Sequence, residues 1–293
     1  MKLITCKSRM RRAICLSLFL FAHTLAHAED NAVDTEFIFG FTTGADVGEP
    51  GEKELENEVT ESSGKRTGSY IAVTNDFRFE ETPIEGLRLE LGLPVDYYNI
   101  TGVTGLDDRT QMSVAGIDAA VRYKLLDRGE APFSLTIGAE PHWSRVDDES
   151  GAPVRNYGAE FSLAIDAAPV PQGVFAALNV VYDPEWTRLR DTASWERAAT
   201  LGVLSSVSAR IQPSVFVGLE SRYFLESQGL GPGRFTGRAW YVGPTMFYGL
   251  TPKMAISGAF AYQVWGHSRE ISGALDLTSF SRCEAILRLE YNF

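Results

Sequence analysis

The chain has 293 residues, 44% of them hydrophobic and 22% charged, with 27 basic against 38 acidic side chains and a formal net charge of −11. This composition is too apolar for a disordered chain, and the acidic balance argues against a nucleic-acid partner, which calls for a basic footprint. Beyond residue 28 no run of 18 or more apolar residues occurs, so no membrane-spanning helix is expected.

Residues 1–28 read as a secretory signal peptide. Lys2, Lys7, Arg9, Arg11 and Arg12 precede the apolar run Ala13–Ala22, and Ala26-His27-Ala28 places small residues before a cut at Glu29. Removing those five basic residues leaves 22 against 38 acidic ones, a net charge of −16. Residues 29–293 keep one cysteine, Cys283, and two histidines, His142 and His267. An internal disulfide is therefore excluded, and a Cys/His metal site is not expected.

Period two dominates the rest of the chain. Leu87, Leu89, Leu91, Leu93, Val95 and Tyr97 alternate with Arg88, Glu90, Gly92, Pro94, Asp96 and Tyr98, and only a strand puts those sets on opposite faces. In chain order the pattern predicts twelve strands: 36–45, 69–81, 87–98, 113–125, 133–143, 157–165, 174–187, 194–209, 215–225, 234–250, 254–265 and 280–293. Short connections at 82–86, 126–132, 168–173, 210–214 and 251–253 alternate with mostly longer ones at 46–68, 100–111, 147–154, 188–193, 226–233 and 266–279. In an up-and-down sheet this sorts turns to one end and loops to the other, as in membrane barrels. Aromatic residues show the same division. Tyr97, Trp143, Tyr157, Trp186, Trp195 and Tyr223 fall beside the long loops, and Phe77, Phe79, Tyr123, Phe133, Tyr291 and Phe293 toward the short turns. The expected fold is all-β: a transmembrane up-and-down antiparallel β-barrel of about twelve strands, occupying residues 29–293.

The end of the chain, Leu275–Phe293 (LDLTSFSRCEAILRLEYNF), resembles the closing strand of proteobacterial outer-membrane barrels. Gly40–Gly48 (GFTTGADVG), Leu106–Arg109 (LDDR), Ala139–Trp143 (AEPHW) and Asp183–Arg188 (DPEWTR) resemble an uncharacterised, porin- or transporter-like family of such barrels. The resemblance implies residence in the outer membrane of a Gram-negative cell, among membrane lipids and lipopolysaccharide. It also implies that barrel-assembly machinery reads the strand ending in Phe293. No activity or site residue comes with it.

With the apolar set facing lipid, the polar set fills the lumen. The candidate lining residues are Arg88, Glu90, Asp96, Asp118, Arg122, Glu140, His142, Glu160, Glu220, Arg222, Glu284, Arg288 and Glu290. By phase Glu36, Glu196 and Arg282 also point inward. Acids outnumber bases, and such a lumen attracts cations. The expected function is a narrow passive channel for small polar or cationic solutes, without cofactor, catalytic residue or metal. The alternative is a structural or surface-interaction barrel whose charges close the lumen.

Two local features have their own readings. Asp46, Glu49, Glu52, Glu54, Glu56, Glu58 and Glu61 are expected on a solvated acidic outer loop, 46–68, whose oxygens suit divalent cations only in principle. His142 and Ser144 share a strand face, and a hairpin near Ser150 sets Asn156 opposite Ser144. This trio resembles the site of outer-membrane phospholipase A. The resemblance would make Ser144 nucleophile, His142 base and Asn156 its orienting group. Arg145-Val146 departs from the Asn-Gly usual after that serine, and the inward phase puts the trio on the wrong face for lipid.

Overall fold

The alternation becomes thirteen strands in a computed structural model that describes residues 33–189 and 194–293. They are β1 Lys53–Ser63, β2 Ser69–Ile84, β3 Leu87–Thr101, β4 Arg109–Val114, β5 Gly116–Leu126, β6 Ser134–Val146 and β7 Pro153–Val170. Then come β8 Val174–Leu189, β9 Glu196–Gln212, β10 Val215–Gln228, β11 Phe235–Thr251, β12 Met254–Ser268 and β13 Cys283–Asn292. One 3-10 turn at Pro232–Arg234 is the only helical element among the described residues. The expected signal peptide lies outside them.

Every ladder is antiparallel between chain neighbours, and β1 pairs with β13 from Glu54↔Asn292 to Ser63↔Cys283, closing the sheet on itself. β4 and β5 are one stave of the wall with a fault in it. Between Val95↔Val114 and Gly92↔Asp118 the β4/β5 side carries one residue more than β3. The extra residue is a β-bulge beside Pro94, which has no N–H to give the ladder. Counting that stave once, the protein is a closed twelve-stranded transmembrane barrel. The short connections of β2–β3, β5–β6, β7–β8, β9–β10 and β11–β12 lie at one end with Phe293, here the turn end; the others lie at the loop end.

Side chains sort by face as the period requires. Leu91 and Phe161 are half exposed on the outside, whereas Arg88 is 1% exposed within. Outside, Phe79 sits 6.5 Å from Phe293 near the turn end, and Tyr157 sits 6.1 Å from Trp195 toward the loop end.

Two expectations are corrected together. Residues 36–45 are not a strand, and 46–68 are not an outer loop. The first stave is instead β1, which carries Glu54, Glu56 and Glu58 into the barrel; only the short connection between Ser63 and Ser69 remains at the loop end. The twelve-stave total survives because one stave replaced another. Residues 33–52 enter from the turn end and fold inside the lumen as a plug. Their contacts give the location, since they reach β2, β3, β5, β7, β8, β10 and β13 on opposite sides of the wall.

Candidate functional site: a plugged, acidic lumen

The plug has an apolar side and a polar side. Ile38 and Phe39 are fully buried against Phe175, Ala177 and Phe216, with Phe216 edge-on to Phe175 at 5.9 Å. Burial on this scale contributes about 1.5–3 kcal/mol per side chain. At Gly40 the chain turns with φ +88, and a Cβ there would meet Ala259 and Thr245 at 2.8 Å. The sequence GFTTG thus supplies glycine where backbone sign and space both demand it.

The polar side answers the charge of the wall. Arg88 donates to Glu36 at 2.9 Å, to Glu80 at 2.7 Å and to Glu54 at 3.2 Å. Arg122 pairs with Glu36 and donates to the Gly44 and Asp46 carbonyls. From the β5–β6 turn, Arg128 reaches inward to Asp46 at 2.7 Å and Asp166 at 3.1 Å. Asp166 also accepts from Thr35 Oγ1 and the Ala45 N–H. Thr43 and Asn179 exchange two hydrogen bonds, and Glu220 accepts the Thr42 N–H at 2.7 Å. Arg222 binds Glu220 and Glu284 while lying 3.6 Å over the Phe41 ring. Arg288 pairs with Glu56 and Glu58 and donates to the Gly40 carbonyl. Charges withdrawn from water need partners of this kind, because an unpaired buried ion costs several kcal/mol.

Beside the plug lies a cavity of about 370 Å³, bounded by Phe37, Phe41 and Thr43 of the plug and by Glu58, Arg78 and Glu160 of the wall. Arg78 is its central cation, with Asp76, Glu90, Asp118 and Glu140 all within 3.2 Å. Toward the loop end the acids outrun the bases. His142 Nε2 lies 3.5 Å from Glu185, while neither Glu160 nor Asp183 forms an ion pair among the described residues. Asp96 is held by the hydroxyls of Thr74 and Tyr98. Above it, Lys65 pairs with Glu149 and donates to the Thr278 carbonyl, tying three loops together.

All thirteen candidate lining residues lie on the inward face, and none is exposed. Seven are buried: Arg88, Asp96, Asp118, Glu220, Arg222, Arg288 and Glu290. Glu90, Arg122, Glu140, His142, Glu160 and Glu284 are half-buried. Glu36 is indeed inside, but on the plug rather than the wall, whereas Glu196 and Arg282 are exposed. Ser144 does face Asn156 as expected. Its hydroxyl donates to the Val146 carbonyl, however, and the His142 imidazole turns to Glu185, so the phospholipase-like relay is not assembled. Arg128, Asn179, Thr42 and Thr43 went unread in the sequence, since none belongs to an alternating strand pattern of charge.

Closed wall, outward apolar band and charged interior define a membrane β-barrel with an internal N-terminal plug. The chain belongs to the family described as "Family of unknown function (DUF6662)", which matches residues 31–293. No curated protein matches the chain. Among solved structures it is similar to the COG4313 outer membrane channel from Pseudomonas putida F1, with a TM-score of 0.59 at 11% identity, covering 85% of this chain and 98% of that one. It is also similar to the translocator domain of autotransporter NalP from Neisseria meningitidis, with a TM-score of 0.51 at 11% identity, covering 85% and 91%. At such identities the likeness is one of fold.

Proposed function

We propose that the protein is an outer-membrane channel for small polar or cationic solutes, closed at its turn end by its own residues 33–52. In this reading the turn end faces the periplasm and the loop end faces outward among lipopolysaccharide. Barrel-assembly machinery would recognise the strand ending in Phe293. The observation that carries the reading is the nature of the seal. The plug meets the wall largely through ion pairs and hydrogen bonds beside a cavity lined by charged groups. Water can replace such contacts one by one, whereas a contiguous apolar core would have no hydrated open state. The likeness to a protein described as an outer membrane channel supports the same reading. Acids in excess along the path favour cations.

Planar-bilayer recording of the refolded protein and of a variant lacking residues 33–52 tests it. The expected result is a several-fold larger unitary conductance for the deletion, with a reversal potential in a KCl gradient displaced toward that of K⁺. Silence from both folded proteins would overturn the channel and leave a closed structural barrel.

A further inference from the structure

Three adjacent strands bring together a group of side chains that the plug does not use. In the ladder His142 of β6 faces Gly158 of β7, which faces Glu185 of β8. A Cβ at position 158 would lie 2.2 Å from His142 Nε2. Glycine there lets the imidazole lie across β7 toward Glu185. Asp183 sits two residues from Glu185 on the same inward face of β8. One ligand-capable atom from each of His142, Asp183 and Glu185 lies within 4.8 Å of the other two. Asn156 donates to Glu185 and so orients that carboxylate, as groups around metal ligands commonly do.

A second trio, Glu36, Glu80 and Glu90, converges equally closely, but Arg88 and Arg122 already stand against it. Among the described residues no arginine or lysine is paired with the first trio. Asp183 Oδ1 and Asn156 Oδ1 are sealed from solvent without a hydrogen-bond partner among the described residues. Glu140 and Glu160, paired across β6 and β7 in the next inward row, add negative charge, and only Glu140 is taken by Arg78. An imidazole, two carboxylates and an orphaned buried oxygen make a borderline nitrogen and oxygen donor set. That set suits first-row divalent ions better than Ca²⁺ or Mg²⁺, which prefer oxygen alone.

We infer that His142, Asp183 and Glu185 bind a divalent transition-metal cation within the lumen. The site goes beyond the channel reading and is independent of it: metal binding in detergent solution needs no conduction, and conduction needs no metal.

Zn²⁺ is the probe, titrated calorimetrically into the refolded full-length barrel after EDTA treatment. One saturable site is expected. His142→Gln and Asp183→Asn should each weaken it at least tenfold. Gly158→Ala should do the same although it removes no ligand, because its methyl displaces the imidazole. A heat-modifiable gel shift verifies that each variant is folded. Millimolar Ca²⁺ should leave the Zn²⁺ isotherm unchanged. On the unmutated protein, Cu²⁺ should give an electron paramagnetic resonance spectrum with coupling to imidazole nitrogen. The assignment is overturned if there is no saturable binding, if the folded variants retain parental affinity, if Ca²⁺ displaces Zn²⁺, or if the Cu²⁺ spectrum lacks nitrogen coupling.

Discussion

At the turn end of the lumen, Arg88 stands between Glu36, Glu54 and Glu80, and each of Arg122, Arg128, Arg222 and Arg288 is likewise matched to acids of the wall or plug. Nearer the loop end, on β6–β8, Glu140, Glu160, Asp183 and Glu185 have, among the described residues, only His142 and a share of Arg78 as ion-pair partners. The wall is built the same way in both places, from alternating strands with charged residues inward. The difference lies in what fills the space. Where a second layer of chain enters, its own Glu36 and Asp46 pair with Arg88, Arg122 and Arg128 of the wall and turns and fix the layer in place. Where no layer enters, Glu140 and Glu160 border the cavity, and Glu160 has no ion pair among the described residues.

That contrast can be broken from either side. The largest effect is expected from Arg88→Met, which leaves three buried carboxylates without their common cation. Removing one member of a buried ion cluster costs about 3–5 kcal/mol, read as a lower urea midpoint for loss of the folded gel form. The unmatched region should respond in the opposite direction. Asp183→Asn, measured in EDTA, removes a charge with a partnerless buried oxygen and should raise stability by about 1 kcal/mol.

The smallest effect is expected outside the membrane, at the β5–β6 turn. Burial pushes the Asp127 carboxyl upward, but the Lys124 ammonium at 2.6 Å and the Gly129 N–H outweigh it and hold it below the usual carboxylate range. A lowered folded value means that the stabilisation is present above the unfolded value of about 3.9 and disappears as pH falls through the folded one. Asp127→Asn should therefore cost a few tenths of a kcal/mol at pH 7, as exposed pairs do. The variant and parent should converge in acid-unfolding curves once the pH has fallen through the folded value of Asp127.

The barrel was legible in the sequence because lipid outside and charge inside enforce period two over many strands. The plug was not, for a physical reason. Phe37, Phe39 and Phe41 alternate as a strand would, yet Phe39 packs on Phe175 while Phe37 and Phe41 lie under Arg288 and Arg222. β1, conversely, reads as a solvated loop because its outward face offers little apolar surface beyond Leu55 and Val59. Asn57 lies on that face and is tolerated because its amide donates to Asn75 across the β1–β2 ladder at 2.5 Å. Phe175 and Phe216 were the available clue, being apolar residues in the inward phase that need something apolar to meet them. The inward phase of the candidate residues follows from alternation alone, but which of them are neutralised depends on a segment whose position no periodicity encodes.

The seam between β1 and β13 sets a schedule for making this molecule. The Phe293 N–H donates to the Lys53 carbonyl, so the first stave waits for β13 to be synthesised. Until then the nascent sheet has two raw edges, and its finishing ladder has the greatest sequence separation in the wall, a recipe for slow and edge-exposed folding. Because the plug is tethered directly to that first stave, enclosing it and zipping the cylinder shut are neighbouring events at the same rim.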